Sequence, residues 1–368
     1  MQIKIPFKLL FSIVSILVLV TLLARTAKNS GYFVDIRQVS YGTCEKINGP
    51  AGAEDINIDR NHNVAFISSG NAREVFDSYR SGIDKAQIGD GAIWLLDLSL
   101  PASKPHILKV DVGGPFHPHG IDLLTMENGE RELYVINHPK RDEHEVLVFS
   151  VTSNHDLILK ERIVYPELIS PNDIEAFEQN HFFVTNDHGS PQSSLMARIE
   201  EYLGLSRSSV SYYDGKRGSL IIEGLNSANG IKLSSDKRSL YIAEAIGRSI
   251  KKYKRGNSLH RWSHIETLYV DTALDNLEWD KHENLLAGAH PKLFDLISHF
   301  RDKNKISPSH VVRIDTANSP MSYETIYMDD GNEISGSSVA TRHDGMMLIG
   351  SVAEPYFLRC IDEDNESI

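Results

Sequence analysis

Glu54-Asp55, Asn172-Asp173, Asn229 and Asp275-Asn276 each open an apolar, alternating run of residues. Carboxylate and amide oxygens that converge on one axis are costly to bury without a positive partner. A hard divalent cation is the simplest such partner. Calcium accepts about six to eight oxygen ligands, Asn carbonyls among them. Zinc would ask for His and Cys, which these positions do not cluster, and magnesium tolerates an irregular cage less well. Neighbours in an extended chain point opposite ways, so Asp55 and Asp173 could hold a second ion deeper than the first. His119 and His138 stand at the start and the end of two apolar runs of one unit. A His beside a Lewis-acid cation can act as general base toward water. The same residue types also mark plain turns; their recurrence in register sets them apart from that reading. No G-x-S-x-G nucleophile elbow occurs.

The elements that must position these residues form a repeat. Units begin at Glu54, His119, Asn172, Asn229, Asp275 and Gly336. Each has small or polar opening residues, an apolar strand, a polar turn and a second apolar strand ending in polar or small residues. The spacing of roughly 45–65 residues suits blade repeats and leaves room for two further strands per unit. The prediction is an all-β, six-bladed β-propeller, with a sandwich or barrel carrying long loops as the alternative. In a closed ring the opening residues of all six units face one central channel. Asn186, Asp187 and His188 close the hairpin begun by Asn172 near the channel mouth, where Asp187 and His188 would support the ring from behind. Two segments break the β pattern. Residues 195–203 and 293–300 show helical spacing of apolar residues; as short helices they would cap the fold, cover a site as a lid, or touch a membrane.

The chain has 368 residues, is 41% hydrophobic and 24% charged, and carries a formal net charge of −12. This composition is globular, and the acidic balance argues against nucleic acid as a partner. Residues 9–24 are uncharged and almost wholly apolar, with Lys4 and Lys8 before them and Arg25 and Lys28 after. That is the layout of a secretory signal or an uncleaved signal anchor. Residues 1–30 are therefore read as that segment and residues 31–368 as the propeller. In an oxidising compartment Cys44 and Cys360 could form one disulfide joining the first segment to the last; otherwise they would be two buried thiols. Asn365 lies in a glycosylation sequon, Asn365-Glu366-Ser367.

The stretches "EDINIDRNHNVAFISSG", "HPHGIDLL", "INHP", "NDIEAF", "FVTNDH", "SANGI" and "DNLEWD" resemble the serum paraoxonase/arylesterase family, in order over residues 40–360. The resemblance implies a six-bladed propeller with two calcium ions in its channel. It places the catalytic ion on Glu54, Asn172, Asn229, Asp275 and Asn276. It places a structural ion on Asp55, Asp173 and the backbone carbonyl of Ile121, and a His dyad on His119 and His138. The sequence departs from the family at Ser227, where an aromatic residue is expected before Ala228, near Arg73, where a tyrosine is expected, and at Ala289, in place of a third cysteine.

The expected function is calcium-dependent hydrolysis of carboxylic esters, lactones or aryl esters. His119, assisted by His138, would activate water, with Asp275 as a competing base or nucleophile. A calcium-stabilised propeller that only binds lipid or small molecules, or a gluconolactonase-like propeller enzyme, are the alternatives. The N-terminal segment and the two helices would meet a membrane or lipid surface, and the protein would be secreted or membrane-anchored.

Overall fold

A computed structural model describes residues 7–70, 72–81, 88–100 and 102–362. The repeat folds as expected. Six four-stranded antiparallel sheets stand around a central channel, and the innermost strands of neighbouring sheets touch around the whole ring. These inner strands are Ala53–Asp59, Pro118–Thr125, Pro171–Glu178, Ala228–Leu233, Ala273–Trp279 and Ser337–His343, which define blades 1 to 6. The polar turns expected after them are built by Asp side chains. Asp59 accepts the backbone N–H of Asn61 and His62, and Asp280 those of His282 and Asn284.

A propeller has no single core; apolar faces are buried between adjacent blades. Phe66, Ile93 and Leu95 of blade 1 pack on Ile121, Leu133 and Phe149 of blade 2. Five similar clusters fill the remaining interfaces. Each large buried side chain contributes about 1.5–3 kcal/mol, so stability is spread around the ring.

The ring is closed by chain ends that lie far apart in sequence. The first strand, Thr43–Asn48, pairs antiparallel with the last, Tyr356–Ile361, as the outer edge of blade 6. Cys44 lies opposite Cys360 in that register, and the two form a disulfide across a sequence separation of 316 residues. The bond fastens the two ends of the ring together within blade 6.

Four helices occur among the described residues: α1 (Phe7–Asn29), α2 (Ala72–Ser81), α3 (Leu195–Leu203) and α4 (Leu293–Arg301). In α1, residues Lys8–Asn29 are long and apolar enough to cross a membrane, and none of its apolar side chains from Leu9 to Val20 packs on the propeller. Helix α3 is capped by the Ser194 hydroxyl, which accepts the Ala197 N–H, and stopped by left-handed Gly204. Its buried residues are Ala197 and Glu200, while the predicted apolar stripe, with Leu195 and Tyr202, faces outward. Helix α2 was not expected from the sequence. Its ten residues hold too few apolar side chains to show periodicity, and it is held by packing on α4, where Phe76 stacks on Phe300. Asn365 lies outside the described residues.

Candidate active site

The channel residues reach the axis through an irregularity repeated in every blade. In blade 1, Ala53 pairs with Ser69 and Asp55 with Ser68, which leaves Glu54 as an extra residue. In the other five inner strands the ladder doubles at His119-Gly120, Asn172-Asp173, Asn229-Gly230, Asp275-Asn276 and Ser338-Val339. A β-bulge bends the strand and re-aims a side chain. Alternation along a regular strand, the reason expected for the split between Asn172 and Asp173, is thus replaced by a bulge at the pair itself. The bulged N–H groups are satisfied by hydroxyls: Asp55 N–H donates to Ser68 Oγ (3.1 Å) and Asp173 N–H to Thr185 Oγ1 (3.0 Å). Gly120 and Gly230 permit the close approach of the next strand. A Cβ on either would sit 2.6 Å from a carbonyl oxygen, of Asn172 and Asp275 respectively.

The upper ring holds Glu54, Asn172, Asn229, Asp275 and Asn276. The Asn276 amide donates to Glu54 Oε1 (2.9 Å) and to the Glu54 carbonyl (3.0 Å). Asp275 Oδ2 is 2.8 Å from His290 Nε2. Four buried oxygens, Glu54 Oε2 and the Oδ1 atoms of Asn172, Asn229 and Asn276, have no hydrogen-bond partner among the described residues. Burial and the neighbouring Asp275 charge push the Glu54 carboxyl up to about 8. Orphaned buried acceptors cost about 1–3 kcal/mol each, so a cluster of four calls for a cation. Among the described residues no three His, Cys, Asp or Glu side chains gather as a metal cage; the set is completed by amide oxygens, which suits a hard divalent cation rather than zinc.

One layer deeper the carboxylates are satisfied from within. Asp55 accepts the Ile56 and Ile121 N–H groups (both 2.8 Å), and Asp173 those of Ile174 (2.7 Å) and Ile231 (2.8 Å). Asp55 thereby ties blade 1 to blade 2, and Asp173 ties blade 3 to blade 4. Below them the Lys232 ammonium lies 3.2 Å from Asp122, 3.3 Å from Glu175 and 3.2 Å from Glu278. Asn57 bridges Asp122 and Glu278 at 3.2 Å each. Against the cost of burial, these three carboxylates hold the lysine above its ordinary value, while burial raises the Asp55, Asp173 and Glu175 carboxyls.

A cavity of about 350 Å³ opens above the upper ring, with Val75, Leu296, Phe300 and Val352 as its apolar wall. His119 Nε2 lies 3.4 Å from Glu54 Oε1, and a third of its side chain is exposed. The His138 ring stands edge-on to His119 with centroids 5.2 Å apart, and His138 Nδ1 is 2.8 Å from His144 Nδ1. Asp187 also lines this cavity; it accepts from Ser170 Oγ and lies 2.8 Å from His188 Nδ1. The Asp187 charge pushes the His188 imidazole up to about 9, and that imidazolium in turn holds the part-buried Asp187 carboxyl low. Glu200 of α3 accepts from Gly189 N–H (2.8 Å) and Ser190 Oγ (2.7 Å), which fixes the helix beside this hairpin end.

The sequence profile of the family described as Arylesterase matches residues 35–360. This chain belongs to the arylesterase family. Serum paraoxonase/arylesterase 2 of Gallus gallus is 33% identical over 324 residues, covering 86% of this chain and 88% of that protein. Serum paraoxonase/arylesterase 1 of Homo sapiens is 31% identical over 327 residues, with 86% and 88% covered. Among solved structures, a luciferin-regenerating enzyme superposes with a TM-score of 0.52 at 14% identity, covering 86% of this chain and 94% of that one. That likeness is of fold alone.

Every residue assigned to the upper ring from the sequence of this arylesterase-family chain meets at the channel mouth, and Asp55, Asp173 and Ile121 meet one level down. Sequence reasoning missed His290, His144 and the Lys232 cluster. His290 ends the second strand of blade 5, Leu285–His290, much as His138 lies toward the end of that strand in blade 2, so a signal was present. The cluster also had one: Asn57, Asp122, Glu175, Lys232 and Glu278 each lie two residues beyond the opening pair, in "DIN", "GID", "DIE", "GIK" and "NLE".

Proposed function

We propose that the protein is a calcium-dependent hydrolase of lactones and aryl esters, with Glu54, Asn172, Asn229, Asp275 and Asn276 holding the catalytic ion. The observation that carries this is the set of four buried oxygens, unpartnered among the described residues, beside a half-apolar cavity. Calcium bound there supplies a Lewis acid that polarises the ester carbonyl and stabilises the oxyanion. His119, part-exposed at the cavity, takes the proton of the attacking water. His138 and His144 orient it from behind through their mutual Nδ1 contact. Asp275, buried and bonded to His290, serves as a ligand in this reading rather than as the base. Val75, Leu296, Phe300 and Val352 receive the acyl or aryl part. Asp55, Asp173 and the Ile121 carbonyl would hold a second calcium ion with a structural role, each carboxylate taking it alongside the two backbone N–H groups it already accepts.

Residues 1–30 act as the signal peptide or anchor, and residues 31–368 form the hydrolase body, exported to an oxidising compartment. The outward apolar residues of α3, with Phe294 of α4, stand on the face from which α1 leaves; Arg25 of α1 donates to the Gly204 carbonyl at the end of α3 (2.8 Å). A lipid surface suits that face.

The test is hydrolysis of phenyl acetate and of lactones of graded chain length, with and without chelator. Chelation should abolish turnover and added calcium restore it. His119→Gln should slow turnover about 10²-fold or more while calcium still raises the melting temperature. Full turnover after exhaustive chelation excludes the calcium role. Unchanged turnover in H119Q removes His119 from the reaction and leaves Asp275 as the base.

A further inference from the structure

A second cavity, of about 700 Å³, lies away from the channel between the outer strands of blades 4 and 5, beneath the segment that leaves α1. Arg248 lines it. This arginine is 8% exposed, and its backbone is held in the left-handed region at φ 49°, a conformation that a long side chain adopts only at a cost. Its Nη1 donates to the Asn29 and Pro291 carbonyls at long distances, 3.3 and 3.4 Å. Its Nη2 is buried with no partner among the described residues. Gly31, at φ 74°, permits the linker to pass this closely, since a Cβ there would lie 1.8 Å from the Pro291 carbonyl oxygen and 2.8 Å from Arg248 Nη1.

His310 lines the same cavity, with Nε2 2.9 Å from Thr325 Oγ1 and Nδ1 buried without a partner among the described residues. Burial, and then the Arg248 charge, push this imidazole down to about 4, so the ring is neutral and can offer one N–H. Of the other charged lining groups, Arg37 pairs with Asp35 at 3.0 Å, which leaves Arg248 and Lys28 against Asp271. The balance is one positive charge in excess. A buried guanidinium with no carboxylate at ion-pair distance among the described residues calls for an anion with several oxygens, which its planar fork can bind bidentately.

We propose that this cavity binds a phosphate monoanion of the kind carried by phospholipid headgroups, with Arg248 as the fixed charge and His310 Nδ1–H as a second donor. Position favours the headgroup as the source. Lys28 and Asn29 at the end of α1 form part of the wall, and exposed Phe33 and Tyr269 form part of the rim, as aromatic residues do at a membrane interface.

The full-length protein, in calcium-containing and phosphate-free detergent solution, is melted while titrated with inorganic phosphate, dihexanoyl phosphatidylglycerol or dihexanoylglycerol. Either phosphate-bearing titrant should raise the melting temperature by about 2–4 °C, and the phosphate-free glyceride should not. Arg248→Gln should abolish the shift. Without titrant, R248Q should melt no lower than the parent, because an uncompensated buried charge has been removed, and its aryl-ester turnover should be unchanged. A phospholipid effective at about 10-fold lower concentration than inorganic phosphate identifies the headgroup as the source; the reverse order identifies free phosphate. No shift with either titrant, or an equal shift in R248Q, overturns the site. If R248Q does not fold, calorimetric titration of the parent and of His310→Phe replaces it. Absence of saturable heat in the parent, or undiminished heat in H310F, overturns the proposal.

Discussion

Two layers of one channel bury carboxylates in different ways. In the upper ring, Glu54 and three Asn side chains leave four oxygens without a partner among the described residues. In the lower layer, Asp122, Glu175 and Glu278 surround the ammonium of Lys232, and Asp122 and Glu175 also accept the Ala176 and Leu233 N–H groups at 2.8 and 3.0 Å. The lower layer carries its cation in the sequence; the upper layer, on the function proposed above, takes one from solution. A lysine fixes the blades but offers no vacant coordination position to a substrate, whereas a bound divalent ion can do both. The difference separates what holds the ring together from what is open to chemistry.

The comparison breaks most visibly at Lys232. In Lys232→Met three buried carboxylates lose their common cation, and removal of one partner from a buried ionic cluster costs about 3–5 kcal/mol. Denaturant unfolding in the presence of calcium should show a loss of that size. A loss below about 1 kcal/mol, typical of an exposed pair, would mean that the lysine is not the counterion of this layer.

Glu54→Gln should behave in the opposite way. In calcium-free solution it removes a carboxylate that burial and the Asp275 charge both disfavour, so stability should hold or rise. Turnover should fall by roughly 10²–10³-fold, the scale of losing one group that stabilises an oxyanion. A variant that unfolds as readily as K232M but keeps its activity would reverse the roles assigned to the two layers.

The upper side of this contrast was legible in the sequence, and the lower side was missed for a physical cause. The opening pairs stand out because Asn and Asp interrupt apolar strands at the same place in successive units. Their bulge does not show, because two-against-one pairing depends on the partner strand. Asn57, Asp122, Glu175, Lys232 and Glu278 look like the solvent-facing half of ordinary alternation. Only a closed ring turns that half inward, where charges must pair. Helix α2 was illegible for a related reason: Val75 and Phe76 acquire an apolar face to meet only when α4 is folded beside them. His144 reaches His138 across a hairpin turn and carries no periodic signal of its own.

The rim offers a third arrangement, a carboxylate with a private histidine, and the smallest of these effects. Asp187 raises the His188 imidazole from its ordinary 6.5 to about 9, so between those values the folded chain holds a proton that the unfolded chain has released. This stabilisation is fully present below about pH 6.5 and is lost as pH rises through about 9. The pair is part-buried, with about a fifth of each side chain exposed, and the contribution should be about 1–3 kcal/mol. In His188→Gln that pH-dependent part disappears. The stability gap between parent and variant should therefore be widest near pH 6.5 and shrink toward pH 9, read from denaturant midpoints at both. A gap that stays constant would mean that the proton on His188 is not held by Asp187, and that the hairpin end is fixed by the Glu200 contacts of α3 instead.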